Sequence, residues 1–135
     1  MHRAQIYVNL PVEDLDRSVR FFTALGFRFD PQFTDENATA MIIGEDSFVM
    51  LLVKPFFQRF TRLPLPPPGH VGAIIALSQP DRAAVDAIVA RARAAGGAIT
   101  AEPVDHGFMY QHGFADPDGH LWEVMHMDMA AFPTE

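Results

Sequence analysis

The sequence predicts an α+β fold: two βαβββ modules forming paired curved sheets around a pocket. Three observations predict it. The order strand, helix, strand, strand, strand is written twice. A proline-rich break, KPFFQRFTRLPLPPPG at 54–69, separates the two copies. Both predicted helices carry an Asp-Arg pair in the opening turn, Asp16-Arg17 and Asp81-Arg82, and both close on glycine. The expected organisation is one domain over 1–135, with module one at 4–53, an arm and linker at 54–69, module two at 70–127 and a tail at 128–135.

The first strand reads Gln-Ile-Tyr-Val-Asn-Leu at 5–10. Strand periodicity puts Ile6, Val8 and Leu10 on one face, suited to packing under a helix, and Gln5, Tyr7 and Asn9 on the other. EDLDRSVRFFTALG follows. Asp14 suits an N-cap and Gly26 the position just past the C-cap, and Leu15, Val19, Phe22 and Leu25 make one apolar stripe. Residues 27–33, 38–43 and 48–53 read as three short strands separated by polar turns.

Three consecutive prolines at 66–68 fit neither a sheet nor a helix interior. Residues 55–60 read as a short helical or irregular arm and 63–69 as a stiff linker. Module two then begins with a strand at 70–78. A helix at 80–95 is expected to start at Pro80, to bury Val85, Ile88, Val89 and Ala92, and to end at Gly96-Gly97. Strands at 98–104, 108–115 and 120–127 complete the copy.

Composition narrows the function. The chain has 135 residues, 49% of them apolar, and a net charge of −7, with a pI of about 5.2. This is the size of one domain with a real core. The acidic balance argues against nucleic acid or an anionic membrane as partner. Cysteine is absent, which removes disulfides, thiolate nucleophiles and thiolate metal sites. No apolar run approaches the ~20 residues of a membrane span, and the N-terminus lacks a signal-peptide core, so a cytoplasmic protein is expected. Nucleotide-binding loops, the nucleophilic-serine elbow and the H-E-x-x-H metal motif are missing too.

Two stretches carry a resemblance. V-x-D-L-x-x-S-x-x-F-F-x-x-L-G-F at 12–27 and D-P-D-G-H-L-W-E-V at 116–124 resemble the vicinal oxygen chelate superfamily: glyoxalase I, bleomycin-resistance proteins and extradiol dioxygenases. The resemblance covers residues 4–127. It implies four metal ligands in the metal-dependent members, one per inward strand. Glu123 matches the last of them. The first position holds Tyr7, the second lies in 48–53 where no His, Asp or Glu stands, and the third aligns with Ile74. One carboxylate holds a divalent ion weakly, because metal centres normally use three or more protein ligands.

The expected function is therefore that of a glyoxalase/bleomycin-resistance/dioxygenase-like protein with a degenerate metal site: a homodimer that binds a small organic molecule in a mainly apolar pocket. The expected contacts are Tyr7, Asn9, Tyr110, Gln111 and Glu123. Glu123 is also the candidate for general acid–base work, since an inward carboxylate without a cation is driven towards a raised pKa. No cofactor is expected. The alternative is a lactoylglutathione-lyase-like or extradiol-dioxygenase-like enzyme with a divalent metal on Glu123, His70 and His112. A third reading is an interaction module whose pocket is filled by its own side chains. His120 and His126 share a face with Trp122 and are expected to be structural. Phe56, Phe57 and Phe60 are expected to form a lid or to pack in a core or interface.

Overall fold

The computed structural model describes residues 2–131. The chain divides into two compact units between Pro67 and Pro68. Each is a βαβββ module with one four-stranded sheet and one long helix.

Unit one contains β1 (Ile6–Val12), α1 (Leu15–Ala24), β2 (Arg28–Asp30), β3 (Ala38–Gly44), β4 (Ser47–Val53) and a short α2 (Lys54–Phe57). The sheet order is β1-β4-β3-β2, with β1 and β4 parallel and the other pairs antiparallel. The Asp14 carboxylate accepts the Arg17 N–H and caps α1. Gly26 ends it at φ 103°, where a side chain would be strained. The Gly26 N–H reaches Thr23 O and the Phe27 N–H reaches Phe22 O, so two otherwise orphaned carbonyls are satisfied. Leu10, Val12, Phe22, Leu25, Met41, Val49 and Leu51 form the core.

The expected faces hold with two corrections. Ile6 is 59% exposed rather than packed under the helix. In α1, Val19 is only half-buried, and Ser18 and Phe21 are buried instead. The strand expected over 27–33 stops at Asp30, whose carboxylate accepts the Gln32 N–H and starts a 3-10 turn at Pro31–Phe33.

Unit two contains β5 (Ile74–Ser78), α3 (Arg82–Ala94), β6 (Val104–Asp105), β7 (Met109–Ala115) and β8 (Leu121–Met127), in the order β5-β8-β7-β6. β5 and β8 are parallel, and the remaining pairs antiparallel. Asp81 caps α3 by accepting the Ala84 N–H, so the helix begins one residue after Asp81, not at Pro80. The N-caps Asp14 and Asp81 are thus the equivalent positions. The Asp-Arg match is offset by two residues from that equivalence. Gly96 and Gly97 repeat the closure of α1, donating to Arg93 O and Ala92 O. Val85, Ile88, Val89 and Ala92 are all buried, as the periodicity requires. They pack on β7 and β8, where Phe114 and Trp122 stack with ring centroids 6.4 Å apart.

Two strands are shorter than their patterns suggest. The one expected over 70–78 begins at Ile74, because its partner β8 begins at Leu121 and the register pairs Ile74 with Leu121. The one expected over 98–104 reduces to a bridge from Ala98 to Ala115 and the pair Val104–Asp105. Pro103 has no N–H to give the ladder, which favours irregular backbone between them. Of the tail, Met129–Ala131 is a 3-10 turn, and residues 132–135 lie outside the described residues.

Candidate functional site

In unit two, α3 covers one face of the sheet, and no helix of the unit covers the other among the described residues. Strand alternation decides which side chains reach each. Trp122 and Val124 point to α3 and are buried. Glu123 lies between them in sequence, so it points to the face away from α3, half-buried, beside Leu121 and Met125. The register sets Gln111 opposite Met125 and Gly113 opposite Glu123, which brings Gln111 and Glu123 to one face.

Gly113 has a specific reason to be glycine. A Cβ there would stand 2.9 Å from Trp122 O and 3.7 Å from Glu123 Cγ. The bare backbone lets β7 lie close against the Trp122 carbonyl, beside the Glu123 side chain on the sheet surface. Next to it lies a cavity of about 180 Å³. Ile74, Val104 and Leu121 give it apolar walls, and Gln111, Glu102 and Glu123 give it polar groups. Glu102 and Val104 were not expected there, whereas Ile74 stands at the position that the resemblance aligns with the third ligand. The signal was Pro103, which breaks the strand and lets 100–102 form a wall. Among the described residues of its unit the Glu123 carboxylate has no hydrogen-bond or ion-pair partner.

Tyr110 goes elsewhere. It shares the helix-covered face with Phe114, and its hydroxyl donates to Asp86 Oδ1 of α3 at 2.6 Å. That bond, with burial, holds its pKa above the ordinary phenol value. Arg82 lies over its ring at 5.2 Å from the centroid. Arg82 also grips both Asp105 oxygens, at 2.6 and 3.0 Å, and donates to Gly107 O at 3.1 Å. The structure does not bring Tyr110 to the face that carries Gln111 and Glu123.

The histidines are also placed by the sheet. His112 lies on the α3 side, its Nε2 3.0 Å from Ala101 O, although part of it borders the cavity. His126 Nδ1 lies 3.1 Å from Gln79 O, and His120 follows the turn whose carboxylate, Asp116, accepts its backbone N–H. His70 is exposed, precedes β5, and has Nδ1 3.4 Å from Pro68 O. Among the described residues no group of three or more His, Asp or Glu side chains is placed to hold a metal ion. The donor set does not fit a metal centre in which each of four strands contributes a ligand.

In unit one the face away from α1 carries Tyr7 and Asn9 of β1 with Phe48 and Met50 of β4. Tyr7 stacks on Phe48 with centroids 5.0 Å apart. Its hydroxyl donates to Gln5 Oε1 at 2.9 Å, and Asn9 Nδ2 donates to Tyr7 O at 3.3 Å. β4 offers this face only Phe48, Met50 and Leu52, none of them a metal ligand of the His or carboxylate type. Phe56 and Phe57 are half-buried. Phe56 meets Phe60 edge-on at 5.3 Å, and Phe60 is 72% exposed.

The family model for the Glyoxalase/Bleomycin resistance protein/Dioxygenase superfamily matches residues 4–124. The solved structure of hypothetical protein SA1046 from S. aureus is 30% identical, with a TM-score of 0.79 over 93% of this chain and 95% of that one. A glyoxalase-related enzyme from Fulvimarina pelagi is 20% identical, with a TM-score of 0.76 over 93% and 88%. Fosfomycin resistance protein FosX from Mesorhizobium loti is 18% identical, with a TM-score of 0.69 over 96% and 97%. The latter two similarities are of fold alone. No curated protein matches the chain. Two βαβββ modules, the signatures at 12–27 and 116–124, and a match along nearly the whole sequence lead to one conclusion: the chain belongs to the Glyoxalase/Bleomycin resistance protein/Dioxygenase superfamily.

Proposed function

We propose that this protein binds a small organic molecule on the face of the unit-two sheet away from α3, with Glu123 and Gln111 as its polar contacts, and that it needs no metal to do so. One observation carries the reading: a half-buried carboxylate without a partner among the described residues of its unit borders a cavity with apolar walls. A polar group held against apolar surface is stabilised when a ligand supplies the missing hydrogen bond. The volume of about 180 Å³ is below the ~300–1,000 Å³ of sites that enclose drug-sized ligands. It suits a small molecule or one end of a larger one. Tyr7 and Asn9 remain candidates for the corresponding face of unit one.

The metal-dependent alternative needs His112 and His70 beside Glu123. Support for it is weak, since the His112 ring is held on Ala101 O and His70 precedes β5. A homodimer in the cytoplasm is part of the proposal, and light scattering on the eluting protein tests the dimer.

Ligand-observed NMR with a fragment set, on wild type and Glu123→Ala, tests the binding reading. Competing hits that weaken in the variant support it, and an absence of hits overturns it. Titration with Mn²⁺, Ni²⁺ and Zn²⁺ tests the rest. Stoichiometric binding that Glu123→Ala abolishes would overturn the metal-free reading.

A further inference from the structure

We infer that the cavity selects an organic cation: a primary ammonium or amidinium group on a short apolar body. The inference rests on the reading of this cavity as a small-molecule site, and it adds the sign of the ligand's charge. Three features of unit two point to it. The residues around the cavity include two carboxylates, Glu102 and Glu123, and one histidine, His112, but neither lysine nor arginine. The neighbouring cation, Arg82, is committed elsewhere, gripping Asp105 and Gly107 O over the ring of Tyr110. The walls at Ile74, Val104 and Leu121 are apolar, and Ile74 and Val104 are 57% and 41% exposed.

These features treat three kinds of ligand differently. An anion on this face meets two carboxylates, and the His112 ring at the cavity's border is engaged, its Nε2 3.0 Å from Ala101 O. A neutral apolar molecule covers the Glu123 carboxylate and strips its water while pairing it with nothing, which is the costly arrangement for a charge. An alcohol supplies one neutral hydrogen bond. An ammonium or amidinium supplies a charge-assisted bond, stronger than a neutral one, and its apolar body covers Ile74, Val104 and Leu121. Gln111 adds a carbonyl acceptor for a second N–H of the same head group. Met125, opposite Gln111 in the register, is an unbranched, polarisable neighbour that adapts to bodies of different shape.

The test uses three probes of one shape on the full chain: isoamylamine, isoamyl alcohol and isovalerate. Binding is read by titration calorimetry and by backbone amide shifts. The expected result is an affinity for the amine at least ten-fold above the alcohol, no binding of isovalerate, and shifts centred on Gln111, Gly113 and Glu123. Added salt should weaken the amine more than the alcohol, since exposed charge pairs are screened. Glu123→Gln should bring the amine down to the alcohol's affinity, and Glu102→Gln should weaken the amine alone by a smaller factor.

Alcohol or isovalerate binding as well as the amine at these amides would overturn the charge inference and leave the small-molecule reading standing. No shift at these amides with any of the three would overturn both. Should Glu123→Gln fail to fold by circular dichroism, the wild-type ratio and Glu102→Gln still decide: an amine advantage below ten-fold that is insensitive to Glu102→Gln overturns the inference.

Discussion

Trp122 and Asp116 are joined by a buried hydrogen bond, the indole Nε1–H donating to Asp116 Oδ2 at 3.0 Å. The other carboxylate oxygen accepts the backbone N–H groups of Asp118 and His120, at 2.9 and 3.0 Å. One side chain therefore closes the Asp-Pro-Asp-Gly turn and pins the core tryptophan that precedes Glu123. Asp116→Ala removes the acceptor for all three donors. A buried unsatisfied donor costs about 1–3 kcal/mol, so a loss of roughly 2–4 kcal/mol is expected, read from urea unfolding. The same variant should disturb the amide shift of Glu123.

Two carboxylates of unit two should titrate in opposite directions. Burial pushes the Asp116 carboxyl up, against the influence of His120 and the three N–H donors. Its favourable contribution is full below the ordinary carboxylate value and is lost as pH rises through the folded pKa. Asp105 is the reverse. The Arg82 guanidinium, then the Gly107 N–H, lower it from 3.8 to about 2. Its contribution is present above the ordinary value and is lost as pH falls through the folded one. Carboxyl carbon NMR should place the Asp116 midpoint above that of Asp105, and Arg82→Ala should return Asp105 towards the ordinary value.

Both helices were legible because an apolar stripe and a closing glycine agree at each, with an Asp cap read at the first; the Asp81 cap of the second was obscured by Pro80 just before it. β4 and β8 were legible from their apolar runs between polar turns. The start of β5 was not, because it depends on where β8 begins, 47 residues later by the register of Ile74 with Leu121. Residues 98–104 carry strand-forming letters, yet Pro103 accompanies a break in the pairing. At the site, Glu123 was readable from its alternation with Trp122 and Val124. The grouping of Tyr110 with Gln111 broke that same rule, since consecutive strand residues face opposite sides. Period two already tied Tyr110 to Phe114, and so to the helix side.

Gly113→Ala should be costly although its backbone angles suit any residue. The added methyl would meet the Trp122 carbonyl oxygen at 2.9 Å. That atom is backbone in the central strand β8 and cannot swing aside. Overpacking of this kind typically costs about 1–3 kcal/mol. Thermal unfolding should show the loss, and the Gly113→Ala protein should bind isoamylamine more weakly, because a shift of the β8 backbone at Trp122 moves the adjacent Glu123.

Tyr110→Phe and Gln111→Leu make a matched pair that separates the two faces of β7. Tyr110 Oη serves Asp86 on the α3 side, in a partly exposed position. Its removal should lower stability by about 1 kcal/mol, since the bond to the carboxylate is charge-assisted but solvent at this partly exposed position discounts it, and leave the affinity for isoamylamine unchanged. Gln111 faces the cavity with Glu123. Gln111→Leu removes the amide while keeping the apolar bulk, so folding should be retained and the amine should bind several-fold more weakly. Calorimetric titration of both variants measures the contrast. Equal losses of affinity in the two would mean that the ligand contacts the helix side of the sheet as well, and would return Tyr110 to the binding site.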